Sequence, residues 1–377
     1  MKQLIFYANA GILWLKTEKG GSTVSTFYLK TKIYSGENAL SHLKEFPIEK
    51  ALLITDRYFT TSGAVNRILE LLPNAQITIF DDVKPDPTLE MGVAGERIRR
   101  SLGANILIAL GGGSPMDCAK AIKALSDVPV KLICIPTTSG SGSEVTSFSI
   151  LTRGETKFPL IDETLLPDAA ILDPSFQQNM PQGLIAETGF DLISHCVEAL
   201  AAKGRNPFSD AMALRALSVA VSLLPRSWRG ENQVRGEIQC AACMAGIAFQ
   251  TAGLGISHAL AHALGARLHV SHGRLNAILL PAVVRFNATV CMDAYRSASI
   301  LLGAQSTSDT LLLRHLIREL EQLRRKLQLP EHLRDLGVTL PNDLSGIIDD
   351  ALHDMCLAGN PRPVSAEDLQ QLLQEVL

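Results

Sequence analysis

The stretch "NILIALGGGSPMDCAKAIKAL" (residues 105–125) decides the fold. It opens on an unbroken apolar run of strand length, the pattern of a strand buried on both faces of a parallel sheet. Glycines end the run, and a helical pattern starts at once behind them. Glycine tolerates positive φ and lets a phosphate approach the backbone closely. The free N–H groups and partial positive charge of the helix start would then face that phosphate. Met116 stands where the G-x-G-x-x-G fingerprint needs its third glycine. The segment from Gly111 to Asp117 is therefore a phosphate-loop candidate without being the dinucleotide signature.

Working outward, the same strand-and-helix rhythm recurs. Residues 27–34 ("FYLKTKIY") read as a strand, with "SGENAL" turning into a short helix. "KALLITD" (50–56) is a buried strand ending in an acid; a helix follows over 62–72, a strand over 75–83 and a helix over 86–104. Residues 130–151 read as a strand followed by a long loop, "PTTSGSGSEVT", rich in hydroxyls and glycine. Alternation of this kind implies a parallel sheet with helices on both faces. Its loops at the carboxyl ends of neighbouring strands form the crevice in which such sheets bind ligands. Thr137, Thr138 and Thr146 are placed to donate to phosphate or ribose oxygens. Asp56 ends its strand at the same edge, where a carboxylate accepts from a ribose hydroxyl and repels a 2′-phosphate, favouring NAD; a helix cap is an equal reading.

From about residue 182 the strand signals fade and apolar-periodic helices run to the end, including 309–327 and 365–377. A chain of 377 residues exceeds one ordinary core. The expected plan is an α/β dinucleotide-binding domain over residues 26–181 and an all-α domain over 182–377. The boundary falls in "LDPSFQQNMPQG" (172–183), with its two prolines.

Composition excludes several classes. A formal charge of −3 and a pI near 6.3 give no electrostatic case for nucleic acid. Seven scattered cysteines, odd in number, suit reduced thiols in a cytoplasm. Cys240 and Cys243 form a lone C-x-x-C in an alanine-rich helical pattern, read as small core residues because no second pair completes a zinc site. No segment is expected to be long enough to span a membrane. Residues 4–15 ("LIFYANAGILWL") are an apolar prefix without a clear cleavage site. A membrane or encapsulation peptide is one reading of residues 1–25. The preferred one is translation from Val24, with Lys19-Gly20-Gly21 encoded by a purine-rich run resembling a ribosome-binding site.

The strongest chemical signal lies in the helical half. "TGFDLISHCVEAL" (188–200) carries Asp191 and His195, and "GLGISHALAHALGARLHVSHG" (253–273) carries His258, His262 and His272. Residues four apart share a helix face, so Asp191 pairs with His195 and His258 with His262. Imidazoles with one carboxylate suit Fe(II), Zn(II), Ni(II) or Cu(II), and match Mg(II) or Ca(II) poorly. Five candidates exceed what one ion normally takes from protein, so four can bind and one imidazole is left for other work. His269 lies three residues before His272, and spacing does not exclude it.

Together, "GGGSPMDCAK", "PTTSGSGSEVT", "TGFDLISHCVEA" and the histidine stretch resemble the iron-dependent (group III) alcohol dehydrogenases, from about residue 26 to the end. Within that family, "FYLKTKIYSGENAL", "VVRFNA" (283–288) and "NPRPVSAEDLQQLLQEVL" look most like the propanol dehydrogenases of propanediol-utilising bacterial microcompartments. The resemblance implies an NAD domain and a helical metal-binding domain with the active site between them. It implies Fe(II), with Zn(II) possible, held by Asp191, His195, His258 and His272. His262 is then the catalytic histidine beside nicotinamide and substrate, and His269 a pocket wall or outer group. Gly112, Gly113, Ser114 and Asp117 would meet the pyrophosphate, with Thr137, Thr138, Thr146 and Lys157 at the other cofactor positions. Ser139 and Ser141 depart from the more usual Ala and Thr, and "DLISH" from Asp-Ala-Leu-Thr-His, without removing a group the chemistry needs.

The implied reaction interconverts a short primary alcohol, with 1-propanol and propanal expected, and its aldehyde. The metal would act as Lewis acid and His262, or water it orders, would move the proton. Partners are then the small alcohol or aldehyde, other copies of the chain in a dimer or larger oligomer, and microcompartment shell proteins. The expected location is cytoplasmic, inside a bacterial microcompartment. Competing readings are a glycerol or 1,2-diol dehydrogenase, a dehydroquinate-synthase-like lyase, and a non-catalytic metal-binding compartment protein.

Overall fold

The computed structural model describes residues 26–153, 156–338 and 343–377. The apolar prefix and the reading of its start therefore lie outside the described residues. The strands are β1 (Lys32–Ser35), β2 (Lys50–Ile54), β3 (Gln76–Phe80), β4 (Ile106–Gly111), β5 (Lys131–Pro136), β6 (Phe148–Arg153), β7 (Thr156–Ile161) and β8 (Ala169–Leu172). Helices α1 (Arg57–Thr61), α2 (Ala64–Leu71), α3 (Leu89–Leu102) and α4 (Gly113–Leu125) connect them. The helical half comprises α5 (Gln182–Ala201), α6 (Pro207–Trp228), α7 (Arg235–Ala252), α8 (Ile256–Leu268), α9 (His272–Leu301), α10 (Asp309–Lys326), α11 (Ser345–Leu352) and α12 (Ala366–Val376).

Six strands form one parallel sheet in the order β1-β8-β5-β4-β2-β3. Alternation along β4 shows why its whole sequence is apolar. Ile106, Ile108 and Leu110 pack with Phe59, Val65 and Ile68 of α1 and α2 on one face. Leu107 and Ala109 pack with Met116, Ala119 and Ile122 of α4 on the other. The connections leaving the neighbouring strands β2 and β4 thus cover opposite faces. Such a switch opens a crevice at the carboxyl ends of those two strands, and both Asp56 and the glycine turn lie there.

Besides strand β8, which the sequence reading did not name, the structure departs from that reading in three places. The strand expected over 27–34 begins only at Lys32. The hydroxyl-rich loop ends in an antiparallel hairpin, β6 with β7, which the alternation rule did not foresee. Thirdly, α6 and α9 are long and apolar enough to cross a membrane by length and composition. That corrects the expectation that no segment reaches such a length. In α9 the apolar residues serve the interior: Leu275, Ile278, Leu279 and Val283 belong to one core running through the helical half. Cys243 is buried where α7 meets β8, and Cys240 packs beside it, as small core residues.

Candidate active site

The glycine turn has a local steric origin. Gly111 has φ 153°, and a Cβ there would lie 2.4 Å from Cγ of Pro115, so only glycine fits this turn. Gly112 is the N-cap of α4 and, having no side chain, supplies no cap to the first N–H groups of that helix. The two polar loops meet here: a Cβ on Gly112 would be 3.2 Å from Thr138 Oγ1, and one on Gly113 3.4 Å from Ser141 Cβ. Thr137 N donates to Gly111 O at 3.0 Å, closing the second loop onto the first.

Behind these loops lies a group the sequence reading passed over. Lys120 is fully buried and donates to Ser143 Oγ at 2.9 Å, Thr146 Oγ1 at 3.0 Å and Phe148 O at 2.7 Å. Ser143 in turn donates to Asp117 Oδ1 at 3.2 Å. Burial pushes the Asp117 carboxyl up to about 6, against the pull of Lys120. Thr146 and Asp117 thus sit in a buried network that anchors the loop. Asp56 caps α1, accepting from Tyr58 N at 2.9 Å through Oδ1; the cap reading describes that oxygen, and Oδ2 makes no such bond to Tyr58.

Three helices bring the Asp/His cluster together. Asp191 and His195 lie one turn apart on α5, and His258 and His262 one turn apart on α8. His272 opens α9. Ligand atoms of Asp191, His195 and His258 lie within 4.8 Å of one another. His272 joins them through Nδ1, 2.9 Å from Asp191 Oδ1. Ring centroids are 4.5 Å apart for His195 and His258 and 5.1 Å for His258 and His272. His269 is exposed and ends α8 in the left-handed conformation, φ 53°.

These residues fit a divalent metal. His195 Nδ1 and His272 Nε2 are buried and find no hydrogen-bond partner among the described residues. Leaving such an atom unpaired costs about 1–3 kcal/mol; an ion between the rings would remove that cost. Burial pushes the His195 imidazole down to about 3, Asp191 pulling the other way, and burial also lowers His258 and His272. Burial alone would raise Asp191, but its interactions with His195 and His272, the hydrogen bond from His272 Nδ1 among them, hold its carboxyl below the usual range. Neutral imidazoles and an ionised carboxylate are the protonation states a metal requires.

Two further side chains serve the cluster. Glu198 accepts from Ser257 N at 2.7 Å and from His258 Nδ1. This caps the start of α8 and leaves His258 Nε2 facing Asp191 Oδ1 at 3.8 Å. The buried Asn276 amide donates to Asp191 Oδ1 at 2.9 Å and lies 3.1 Å from His272 Nδ1. A signal for both existed: Glu198 follows Asp191 by seven residues on α5, and Asn276 follows His272 by four on α9. Glu198→Gln is expected to weaken metal binding ~10–100-fold, the usual loss for an outer partner of a ligating histidine. The amide would donate to His258 Nδ1 and move the proton to Nε2. Competition against a chromogenic chelator measures this, and an unchanged affinity would sink the assignment.

Lys157 joins the two halves. Its Nζ pairs with Asp86 Oδ1 at 2.6 Å and lies 4.0 Å from the position of a Cβ on Gly265 of α8. The hairpin that carries it packs on α4 through β6 and on α8 through β7.

Comparison with known proteins agrees with this arrangement. Residues 30–174 match the family described as iron-containing alcohol dehydrogenase, and residues 185–377 the C-terminal part of the same family. The 1-propanol dehydrogenase PduQ of Salmonella typhimurium is 36% identical, over 94% of this chain and 100% of its own. The chain belongs to the iron-containing alcohol dehydrogenase family. It is an enzyme, which sets aside the non-catalytic compartment protein. An NADPH-dependent butanol dehydrogenase of Clostridium saccharobutylicum is 32% identical, over 92% of this chain and 97% of its own. The solved structure of a 1,3-propanediol oxidoreductase superposes with a TM-score of 0.89 at 30% identity, covering 94% of this chain and 100% of that one.

Proposed function

We propose that the enzyme interconverts a short primary alcohol and its aldehyde with NAD, propanal and 1-propanol being the expected pair. One observation carries the reading: a cluster of one carboxylate and three imidazoles, with ring nitrogens unpartnered among the described residues, is joined through the β6–β7 hairpin to the helix that opens at the glycine turn. Asp191, His195, His258 and His272 would hold Fe(II), or Zn(II). The ion supplies Lewis-acid polarisation of the substrate oxygen, and nicotinamide supplies or accepts the hydride. Gly112, Gly113 and Ser114 would offer backbone N–H groups to the pyrophosphate. Thr137 and Thr138 flank them, Thr146 and Asp117 hold the loop, and Lys157 stands towards the nicotinamide ribose. Asp56 follows β2 at the crevice as the cap of α1, where its negative charge would disfavour a 2′-phosphate.

His262 is the imidazole left to move a proton, a contribution typically of ~10²–10⁴-fold. The similarity to a 1-propanol dehydrogenase supports 1-propanol and propanal as the pair; a homo-oligomeric state and residence in a microcompartment beside shell proteins complete the proposal, on the motif resemblance alone. The likeness to a 1,3-propanediol oxidoreductase favours a diol dehydrogenase as the second reading. Anaerobic reconstitution with Fe(II) or Zn(II), followed by short aldehydes with NADH and NADPH and by glycerol and 1,2-diols with NAD, tests these together. Propanal-dependent NADH oxidation at least ~10-fold above the NADPH and diol rates is expected (about 1.4 kcal/mol of discrimination). A preference for NADPH would reject Asp56 as the discriminating acid.

A further inference from the structure

The C-terminal segment reaches back over α8 and delivers a carboxylate to His262. Asp354 Oδ2 lies 2.8 Å from His262 Nδ1, across 92 residues of sequence. Its other oxygen, Oδ1, accepts from Cys356 N at 2.8 Å as the cap of the short helix Met355–Gly359. The segment is pinned on both sides. Arg267 of α8 binds Asp350 of α11 through Nε at 3.1 Å. Asn360 and Asn287 of α9 exchange amide hydrogen bonds at 2.9 and 3.1 Å. Those two asparagines lie in "NPRPV" and "VVRFNA", two stretches singled out in the sequence that thus interlock. Interactions with His262 hold the Asp354 carboxyl below its usual range against the effect of burial.

We propose that Asp354 is the positioning residue for His262, fixing both the direction of its ring and the nitrogen that carries its resting proton. An ionised carboxylate only accepts hydrogen bonds, so Nδ1 carries the proton facing it. Nε2, on the opposite side of the ring, keeps its lone pair. The ring packs 4.8 Å from that of His272, one of the proposed metal donors. In alcohol oxidation the hydroxyl proton passes to Nε2 and the hydride to nicotinamide. The resulting imidazolium faces the negative charge of Asp354 until its proton leaves to solvent; reduction reverses each transfer. The inference rests on the reading of His262 as the proton-moving group.

Asp354→Asn separates position from charge. Its retained Oδ1 still caps Cys356, while the new amide donates to His262 Nδ1 and forces the proton onto Nε2. In a hydrolase triad the same exchange costs ~10⁴-fold; here a fall in kcat of ~10²–10³-fold is expected, within the worth of one general acid–base group. Metal content and the cofactor KM stay within about twofold, and Asp354→Asn adds no further loss to His262→Ala. A kcat near that of the unaltered enzyme, loss of metal, or an undiminished effect in the His262→Ala background would each overturn the proposal. If His262→Ala itself keeps its kcat, the proton role fails first and the proposal with it, a distinguishable result. Should Asp354→Asn not fold, Asp354→Ser keeps a good cap while withdrawing the acceptor, and is read against the same outcomes.

Discussion

Asp191→Ala is expected to yield a folded protein with almost no bound metal and with kcat/KM lowered by at least ~10³-fold, more than the ~10–100-fold of an outer-shell loss. Asp191 supplies the one anionic group among the four proposed donors; His195, His258 and His272 are held neutral by burial. Alanine would leave three uncharged imidazoles to hold a dication, and would also take the acceptor from His272 Nδ1 and Asn276 Nδ2. Deletion of one small side chain from the half-buried edge of the cluster should leave the helical core in place, so the loss would be of metal before fold. Metal analysis after Fe(II) reconstitution, beside a thermal melt, reads the two separately. Full metal retention would refute Asp191 as a ligand. His262→Ala provides the contrast: metal retained, turnover slowed.

How far these residues were legible in the sequence depends on how local their signals are. The unbroken apolar run of β4, the glycine turn and the i, i+4 pairs on α5 and α8 are properties of one element each, and all stand where the sequence put them. The Asp56 carboxylate shows the limit of such reading, because a strand-end acid caps the next helix by the same chemistry that would bind a ribose. Lys120 was invisible: a lysine in an α4 pattern reads as surface, and only the fold of residues 143–148 over it supplies three oxygens. Glu198 and Asn276 lie on ligand-bearing faces and carried a usable signal. Asp354 carried none, since its meeting with His262 depends on α11 and the following turn folding back onto α8. The same dependence on the fold governs α9: it is long and apolar enough for a membrane span, which the sequence reading did not expect, and its apolar residues face helical neighbours.

Gly273→Ala is the second large effect expected, and it acts without touching a ligand. A Cβ on Gly273 would lie 1.9 Å from Glu187 O and 2.6 Å from Glu187 C. Both are backbone atoms of α5, unable to swing aside as a side chain can. Glu187 lies one turn before Asp191 on α5, and His272 immediately precedes Gly273 on α9. The glycine therefore sets the distance between the two helices at the place where Asp191 and His272 meet. Room for the methyl requires α9 to withdraw by more than an ångström, which separates His272 from Asp191 and Asn276 from its acceptor. Overpacking alone costs about 1–3 kcal/mol, and with the metal contribution to stability also lost, a melting temperature lower by several degrees is expected. Metal content should fall with it, while Gly183→Ala on the same α5 meets nothing within 4 Å and should change neither. A Gly273→Ala protein with full metal content and an unshifted melt would show that α5 and α9 are not held at this spacing.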